Sequence, residues 1–153
     1  MNSIPSVKYN LLLLNGPNLN MLGIRQPNIY GYTTLNQIEK RVTKLANSFG
    51  FYVKTFQSNY EGAIIEAIHR SCNRCIGIII NPSAYSHTSL AIYDALSSIK
   101  ITTVEVHLSN TSNREKLRHY SYISSIASVV ISGAGLSGYE YAVHYLAKQQ
   151  YQN

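Results

Sequence analysis

The sequence predicts an α/β protein with three layers, in which helices cover both faces of a five-stranded parallel sheet. Three observations lead to this fold class. Short apolar runs alternate along the chain with segments of helical periodicity. The apolar runs are continuous and do not alternate with polar residues, which is typical of strands buried on both faces. The chain has 153 residues, 45% of them apolar, which suits a single domain spanning 1–153.

The order of elements predicts a doubly wound sheet of the flavodoxin-like type, since parallel strands joined by helices cross over in the right-handed sense. The predicted strands are Tyr9–Leu14, Phe51–Phe56, Ile76–Ile80, Thr102–Leu108 and Ala127–Ser132. The predicted helices are Thr34–Ser48, Glu61–Ser71, Thr88–Ile99 and Gly138–Lys148, with one short helix across Arg114–Arg118. Thr34 and Gln37 form a capping-box pattern. Residues 1–7 and 149–153 are expected to be flexible.

Charge and composition exclude several classes of function. The formal net charge of +6 is compatible with nucleic acid, a membrane surface or an acidic small substrate as partner. The sequence has no run of five basic residues, which argues against a nucleic-acid-binding tail. No apolar stretch approaches the ~18 residues of a membrane span. The first ten residues are polar and contain no apolar signal segment, so a cytoplasmic protein is expected.

Two short motifs suggest chemistry that their positions argue against. Cys72 and Cys75 form a C-x-x-C pair, but it follows a helix and precedes a strand, whereas redox pairs usually open a helix. We interpret these as incidental thiols. Gly133–Gly138 matches the dinucleotide fingerprint G-x-G-x-x-G, yet it lies in the last strand–helix unit, whereas the fingerprint belongs in a first one. We therefore expect neither a redox site nor a dinucleotide site at these motifs, and a zinc site would need a second C-x-x-C pair, which the sequence lacks.

Polar and ionisable residues cluster after the predicted strands. In open α/β sheets, ligands bind beyond the carboxyl ends of the strands. The residues that follow or end the first, third and fourth strands are Asn18, Arg25, Tyr30, Asn81, His87, Glu105, His107, Arg114 and Arg118. The sequence therefore predicts a functional site at this edge of the sheet.

Glu105 and His107 lie two apart on a strand and so face the same way. A carboxylate beside an imidazole fixes its tautomer and favours its charged form, which suits a general acid. The alternative is an ion pair on an exposed strand. Val104 and Val106, at the opposite parity, indicate that one face of this strand is buried.

The remaining candidates carry weaker signals. Arg114 and Arg118, four apart, could together hold a carboxylate if their segment were helical, or form a solvated basic face. Tyr30 follows Arg25 in a long loop, and an ionised phenol there could abstract a proton, although the chain has 13 tyrosines. His87 precedes a helix that could bind an anion at its start or simply be capped by Thr88 or Ser89.

Taken together in order, these segments resemble the type II dehydroquinases over nearly the whole chain. The similar stretches are Leu11–Leu35, Phe56–Gly62, Ile80–Leu96, Val104–Ser124 and Gly133–Ala142. Three positions depart from the family's usual residues. Tyr60 and Tyr120 stand where His is frequent, and Ser83 stands where Gly is common; a positive φ at position 83 would strain serine.

The resemblance implies a cofactor-free hydro-lyase that converts 3-dehydroquinate to 3-dehydroshikimate by anti elimination through an enolate. Tyr30 is similar to the family's base, and Arg25 to the arginine that favours its ionisation and stabilises the transition state. His107 matches the general acid and Glu105 its orienting carboxylate. Asn18 resembles the asparagine beside the reacting centre, where a bound water steadies the enolate.

The resemblance also implies how the substrate is bound and how subunits assemble. Asn81, His87 and Asp94 correspond to residues that bind the ring hydroxyls, and Leu108 and Ser109 to backbone amides that hold the carboxylate. Arg118 corresponds to a substrate-binding arginine and Arg114 to a lid arginine. Family members form trimers packed into a dodecamer, in which Asp94 reaches a neighbouring subunit's site.

Three other classes of function stay open on the residues alone. They are a non-catalytic flavodoxin-like binding module, a nucleotide-binding oxidoreductase and a basic nucleic-acid binder. The enzyme reading places the reaction in the shikimate pathway of aromatic biosynthesis, with quinate breakdown as the other role.

Overall fold

A computed structural model describes residues 9–152, and the expected flexible segment 1–7 lies outside this range. Five parallel strands form one sheet in the order β2-β1-β3-β4-β5. The strands are β1 Tyr9–Asn15, β2 Phe51–Gln57, β3 Gly77–Asn81, β4 Thr102–His107 and β5 Val129–Ser132. The predicted flavodoxin-like, doubly wound parallel sheet is confirmed.

Six helices accompany the strands in the described part of the chain. They are α1 Pro27–Tyr30, α2 Leu35–Ser48, α3 Glu61–Ser71, α4 Tyr85–Thr88, α5 Leu90–Ser98 and α6 Ser137–Tyr151. The capping box predicted at α2 is present, because Thr34 accepts a hydrogen bond from the Gln37 amide and Gln37 accepts one from the Thr34 amide. Among these residues, no helix is long and apolar enough to cross a membrane.

The core lies in two layers, one on each face of the sheet. Leu11 and Leu13 of β1 pack with α2 and α6, while Leu12 and Leu14 pack with α3 and α5. The strictly apolar run in β1 is explained by this arrangement, since alternate side chains enter different layers.

Three of the predicted helices differ from the structure: one is interrupted, one is absent and one ends later than predicted. The helix predicted over Thr88–Ile99 is interrupted, because Ser89 has an extended backbone and caps α5 by accepting from the Ile92 amide at 2.9 Å. The single helix predicted across Arg114–Arg118 is absent. The chain instead forms 3-10 turns at Thr111–Asn113 and Lys116–Arg118, with Arg114 extended between them.

The last helix runs past its predicted end at Lys148. Residues 149–151, expected to be flexible, continue α6, and the Tyr151 hydroxyl donates to the Phe49 carbonyl at 3.0 Å. This contact ties the end of α6 to the end of α2. The sequence predicts a loop where the structure has α1, a single turn that begins with Pro27 and carries Tyr30.

The loops after β1 and β3 touch at Gly16. Its amide donates to the Asn81 carbonyl at 2.8 Å. A Cβ built on Gly16 would collide with the carbonyl oxygen of Pro82 and lie 2.7 Å from the Pro82 carbonyl carbon. Only glycine therefore allows these two loops to approach so closely.

We expect Gly16→Ala to lower the free energy of unfolding by about 1–3 kcal/mol, because backbone must move to relieve the collision. Gly62→Ala is the control, since a Cβ there meets nothing within 4 Å. That variant should be unchanged or slightly more stable, as alanine suits a helix better. Urea denaturation measures both, and equal stability of the two variants would contradict the role given to Gly16.

Candidate active site

A small pocket opens at the carboxyl edge of the sheet. Most of the candidate residues from the sequence line it: Asn18, Arg25, Tyr30, Asn81, His87, His107, Leu108, Ser109, Arg114 and Arg118. Glu105 lies behind His107, and Asp94 lies elsewhere, on the exposed side of α5. The fold thus brings together residues that are far apart in the sequence.

Two guanidinium groups lie against Tyr30, one at its hydroxyl and both near its ring. Arg114 Nη1 donates to it at 2.7 Å. The Arg25 and Arg114 Cζ atoms lie 5.4 and 5.6 Å from the centroid of the Tyr30 ring. Arg25 is placed by its own backbone, whose amide donates to the Met21 carbonyl at 2.9 Å. Two positive charges therefore surround one phenol.

Glu105 and His107 form a buried pair on β4. His107 Nε2 lies 2.6 Å from Glu105 Oε1, and Glu105 is 0% exposed. Val104 and Val106 point into the opposite core layer, as their parity predicted. Because Nε2 is engaged by the carboxylate, Nδ1 is the ring nitrogen left to exchange a proton with a bound molecule.

Two serines that the sequence reading did not single out complete the carboxylate's partners. Ser121 donates to Glu105 Oε1 and Ser124 donates to Oε2, each at 2.6 Å. Burial raises the pKa of Glu105, but the hydrogen bonds from His107 and both serines outweigh it and lower the pKa below its ordinary value. Glu105 is thereby kept as a carboxylate inside the protein.

His87 presents a neutral ring to the pocket. Its Nδ1 donates to the Tyr120 carbonyl at 2.7 Å, which leaves Nε2 as an acceptor. The rings of His87 and His107 are stacked, with centroids 6.3 Å apart. Burial lowers the pKa of His87 despite the bond to Tyr120, and the charges of His107 and Arg118 lower it further.

Asn81 is held in place by a buried chain of hydrogen bonds. Its Nδ2 donates to the Tyr139 hydroxyl at 3.0 Å, and that hydroxyl donates to Asn15 Oδ1 at 2.6 Å. Burial raises the pKa of Tyr139, which therefore stays a neutral donor. No pattern in the sequence indicates a role for Tyr139 beyond its place after the glycine motif.

The glycine-rich segment packs against the residues that follow β4, and its first two glycine amides bind backbone carbonyls there. The amides of Gly133 and Gly135 donate to the carbonyls of His107 and Leu108 at 3.2 and 3.0 Å. A Cβ on Gly133 would lie 2.9 Å from Asn110 Cβ. The glycines let β5 and the following turn pack closely on the residues after β4.

The segment after β4 carries both candidate arginines on separate turns. Arg118 Nε lies 2.8 Å from Glu115 Oε2, and Arg114 Nε lies 3.8 Å from the same oxygen. His119 Nε2 donates to the Arg114 carbonyl at 2.7 Å. Arg114 also donates to Ser109 Oγ at 3.3 Å. The two guanidinium groups line one pocket although their segment is not helical.

Asn18 follows β1 in a left-handed conformation, with φ of 67°. Its amide donates to Asn59 Oδ1 at 2.9 Å, and Gln57 Nε2 donates to the same oxygen at 3.1 Å. The loop after β2 thus positions the loop after β1, a role that the sequence does not predict.

The three departures from the family pattern differ in their consequences. Ser83 does have a positive φ of 54°, and its amide donates to Asn81 Oδ1 at 3.1 Å. Local hydrogen bonds therefore hold the strained turn in place. Tyr60 and Tyr120 are exposed, and Tyr120 meets the site through its backbone carbonyl.

Metal binding has no visible basis in residues 9–152, where no group of three His, Cys, Asp or Glu side chains is close enough to hold an ion. The two cysteines, Cys72 and Cys75, are free thiols.

Comparisons with known proteins identify the family of this chain. The family Dehydroquinase class II matches residues 9–147. The chain is 51% identical over 140 residues to catabolic 3-dehydroquinase 1 of Fusarium vanettenii, covering 92% of this chain and 97% of that protein. It is 51% identical over 133 residues to 3-dehydroquinate dehydratase of Cereibacter sphaeroides, covering 87% of this chain and 90% of that one.

A solved structure shows the same architecture. The crystal structure of type II dehydroquinase from Propionibacterium acnes superposes with a TM-score of 0.88 at 40% identity, covering 91% of this chain and 96% of that one. The chain belongs to the class II dehydroquinase family. It is accordingly a hydro-lyase, and the binding-module, oxidoreductase and nucleic-acid readings give way to an enzyme.

The buried carboxylate predicts a pH-dependent contribution to stability. The pKa of Glu105 lies below its ordinary value of 4.5, so folding favours the ionised form. That stabilisation is complete above the ordinary pKa and is lost as pH falls through the lowered pKa of the folded state. We expect the stability difference between wild type and Glu105→Gln to shrink as pH is lowered from about 6 to about 3. Denaturant titrations at each pH measure it.

Glu66→Gln is the control for this measurement. Glu66 pairs with Arg70 at 3.9 Å on the surface, with 65% of its side chain exposed, so its replacement should change stability little at any of these pH values. A difference for Glu105→Gln that is flat with pH would contradict the ionised state assigned to Glu105.

Proposed function

We propose that this protein removes water from 3-dehydroquinate, with Tyr30 as base and His107 as acid. The observation that carries the proposal is that one pocket contains both a phenol held by Arg114 at 2.7 Å and an imidazole held by Glu105 at 2.6 Å. An elimination needs these two groups: a base for the carbon-bound proton and an acid for the departing hydroxyl.

The first step is proton abstraction from the carbon beside the ketone. Two guanidinium groups stabilise the phenolate of Tyr30, which then takes the proton. The electron pair moves onto the ketone oxygen to give an enolate. Arg25, Asn18 and a water bound beside Asn18 supply the positive and hydrogen-bonding groups for that oxygen.

The second step is loss of the hydroxyl group. As the enolate collapses back to the ketone, the carbon–oxygen bond breaks and the protonated ring of His107 gives its proton to the leaving oxygen, which departs as water. Glu105 stabilises the protonated ring and fixes its orientation. Base and acid act on opposite faces of the substrate ring in an anti elimination.

Binding uses the remaining polar groups of the pocket. Asn81 and the neutral ring of His87 bind ring hydroxyls of the substrate. The amides of Leu108 and Ser109, with Arg118 nearby, bind its carboxylate. Glu115, which pairs with Arg118 in the absence of substrate, is exposed and can yield that arginine to an anionic ligand. Arg114 closes over the substrate as the arginine of the lid.

The same chemistry serves two metabolic roles. The matched relatives include a catabolic 3-dehydroquinase and a 3-dehydroquinate dehydratase, both 51% identical to this chain. We propose the biosynthetic role in the shikimate pathway, with quinate breakdown as the alternative.

Removing the Tyr30 hydroxyl should abolish most of the turnover. We expect Tyr30→Phe to lower kcat by at least roughly 100-fold, the range of general base catalysis, with little change in KM. The ultraviolet absorbance of the enone product reports the rate. Tyr32→Phe is the matched control, because Tyr32 is two residues away and 80% exposed.

The outcomes of that assay are distinct. Near-wild-type turnover by Tyr30→Phe would overturn Tyr30 as the base. No turnover by the folded wild-type protein would overturn the reaction itself and favour a non-catalytic binding module.

We also propose that the protein assembles into trimers and that these pack into a dodecamer. Asp94 supports this proposal, because it is exposed on α5 and does not line the pocket of its own chain. A residue so placed can serve as a binder of substrate hydroxyls only from a neighbouring subunit.

Complementation between two impaired variants tests the role of Asp94. Asp94→Asn and Tyr30→Phe should each lower activity alone. Co-expressed at equal levels, they should regain roughly a quarter of wild-type activity, since random cyclic assembly creates sites with an intact Tyr30 and a neighbour's intact Asp94. Light scattering gives the assembly mass. No recovery in a mixed oligomer would place Asp94 outside the neighbouring site.

A further inference from the structure

Ser121 and Ser124 make the shortest contacts to the carboxylate of Glu105 apart from its bond to His107. Ser121 Oγ lies 2.6 Å from Oε1 and Ser124 Oγ lies 2.6 Å from Oε2. The Ser124 amide in turn donates to Ser121 Oγ at 3.3 Å. Hydroxyl donors at this distance from a carboxylate form strong, charge-assisted hydrogen bonds.

We propose that Ser121 and Ser124 are positioning residues for the elimination, which hold Glu105 as an oriented carboxylate so that His107 can act as the acid. The inference rests on the proposed function, since it assigns a role to the groups behind the acid. Neither serine lines the pocket, so both act through Glu105 and not on the substrate.

The burial of Glu105 is what requires two donors. The residue is 0% exposed, and a buried carboxylate is costly unless its oxygens accept hydrogen bonds. Oε1 lies within hydrogen-bond distance of both His107 and Ser121. Within residues 9–152, Oε2 accepts from Ser124. Loss of either hydroxyl removes a donor that lowers the pKa of Glu105, so the carboxyl group would bind a proton more readily.

The ionisable groups near Glu105 belong to more than one element. His107 lies on its own strand, His87 approaches from α4, and Arg118 lies beyond β4 close enough to act on His87. None of these groups contributes a second donor to Oε2. The serines are therefore the neutral groups that decide whether the carboxylate stays ionised.

The serine segment is rigidly attached to the body of the protein. Ile123, between the two serines, is 0% exposed and packs in the core layer under α3 and α5. The Tyr122 amide donates to the Ser86 carbonyl at 2.8 Å, and the Tyr120 carbonyl accepts from His87. One short stretch of chain thus fixes both the acid's carboxylate and the substrate-binding histidine.

The test measures kcat and the pKa of Glu105 in Ser124→Ala. Loss of one hydrogen bond to a charged group should lower kcat roughly tenfold with little change in KM. The pKa of Glu105, followed by an infrared titration in which the spectrum of Glu105→Gln identifies its carboxylate band, should move upwards, because the carboxylate has lost one of its donors. Ser124→Thr keeps the hydroxyl and should restore both values towards wild type.

Ser125→Ala is the matched control, as Ser125 lies in the same turn, is exposed, and bonds the Tyr122 carbonyl at 2.9 Å instead of Glu105. Circular dichroism at each pH establishes that the variants are folded. If Ser124→Ala does not fold, Ser121→Ala is measured in the same way. A folded variant in which the pKa of Glu105 is unshifted overturns the proposal.

A double-mutant cycle separates action through Glu105 from a general structural effect. In a Glu105→Gln background, Ser124→Ala should cause no further loss of kcat, because its target is already neutral. An additive loss would overturn the proposal. Failure of the proposed function would look different, since wild type itself would then lack turnover.

Discussion

The parallel register of β1, β3 and β4 is the constraint on which the site depends. Asn15 pairs with Asn81, and Ile80 pairs with Glu105, so the three strands end at one edge of the sheet. Because parallel strands all run in the same direction, the side chains at their carboxyl ends lie along one edge of the sheet. Asn81, His107 and Leu108 stand at the ends of these strands, and the arginines and Tyr30 reach the pocket on the longer segments that follow β1 and β4.

The pocket has two charged sides. On one side, Arg114 donates to the Tyr30 hydroxyl and the Arg25 guanidinium lies over the Tyr30 ring. On the other side, the buried carboxylate of Glu105 lies against His107. Asn81 and His87 line the same pocket, with His87 stacked on His107. The cations and the carboxylate thus lie beside different side chains, which is the arrangement that the proposed base and acid require.

The sequence predicted those parts of the structure that follow from periodicity and local chemistry. The positions of the strands, the capping box at Thr34 and the shared face of Glu105 and His107 are consequences of patterns a few residues long. The contacts of Ser121, Ser124 and Tyr139 were missed, because they join segments distant in the sequence through side chains with no distinctive spacing. The prediction of a helix over Arg114–Arg118 is wrong because other hydrogen bonds stabilise separate tight turns there. His119 donates to the Arg114 carbonyl, and Arg118 donates to the Glu115 carboxylate.

The proposed catalytic base stands on a very short element of the fold. α1 is a single turn of four residues without a side-chain cap, entered through Gln26 in a left-handed conformation. So short a helix has no stability of its own in water, and it depends on contacts such as that between Tyr30 and Arg114. Local opening of this turn would displace Tyr30 while the sheet stays intact. With Tyr30 as the base, heat or mild denaturant is expected to reduce activity before the protein unfolds, and the loss should reverse on cooling or dilution.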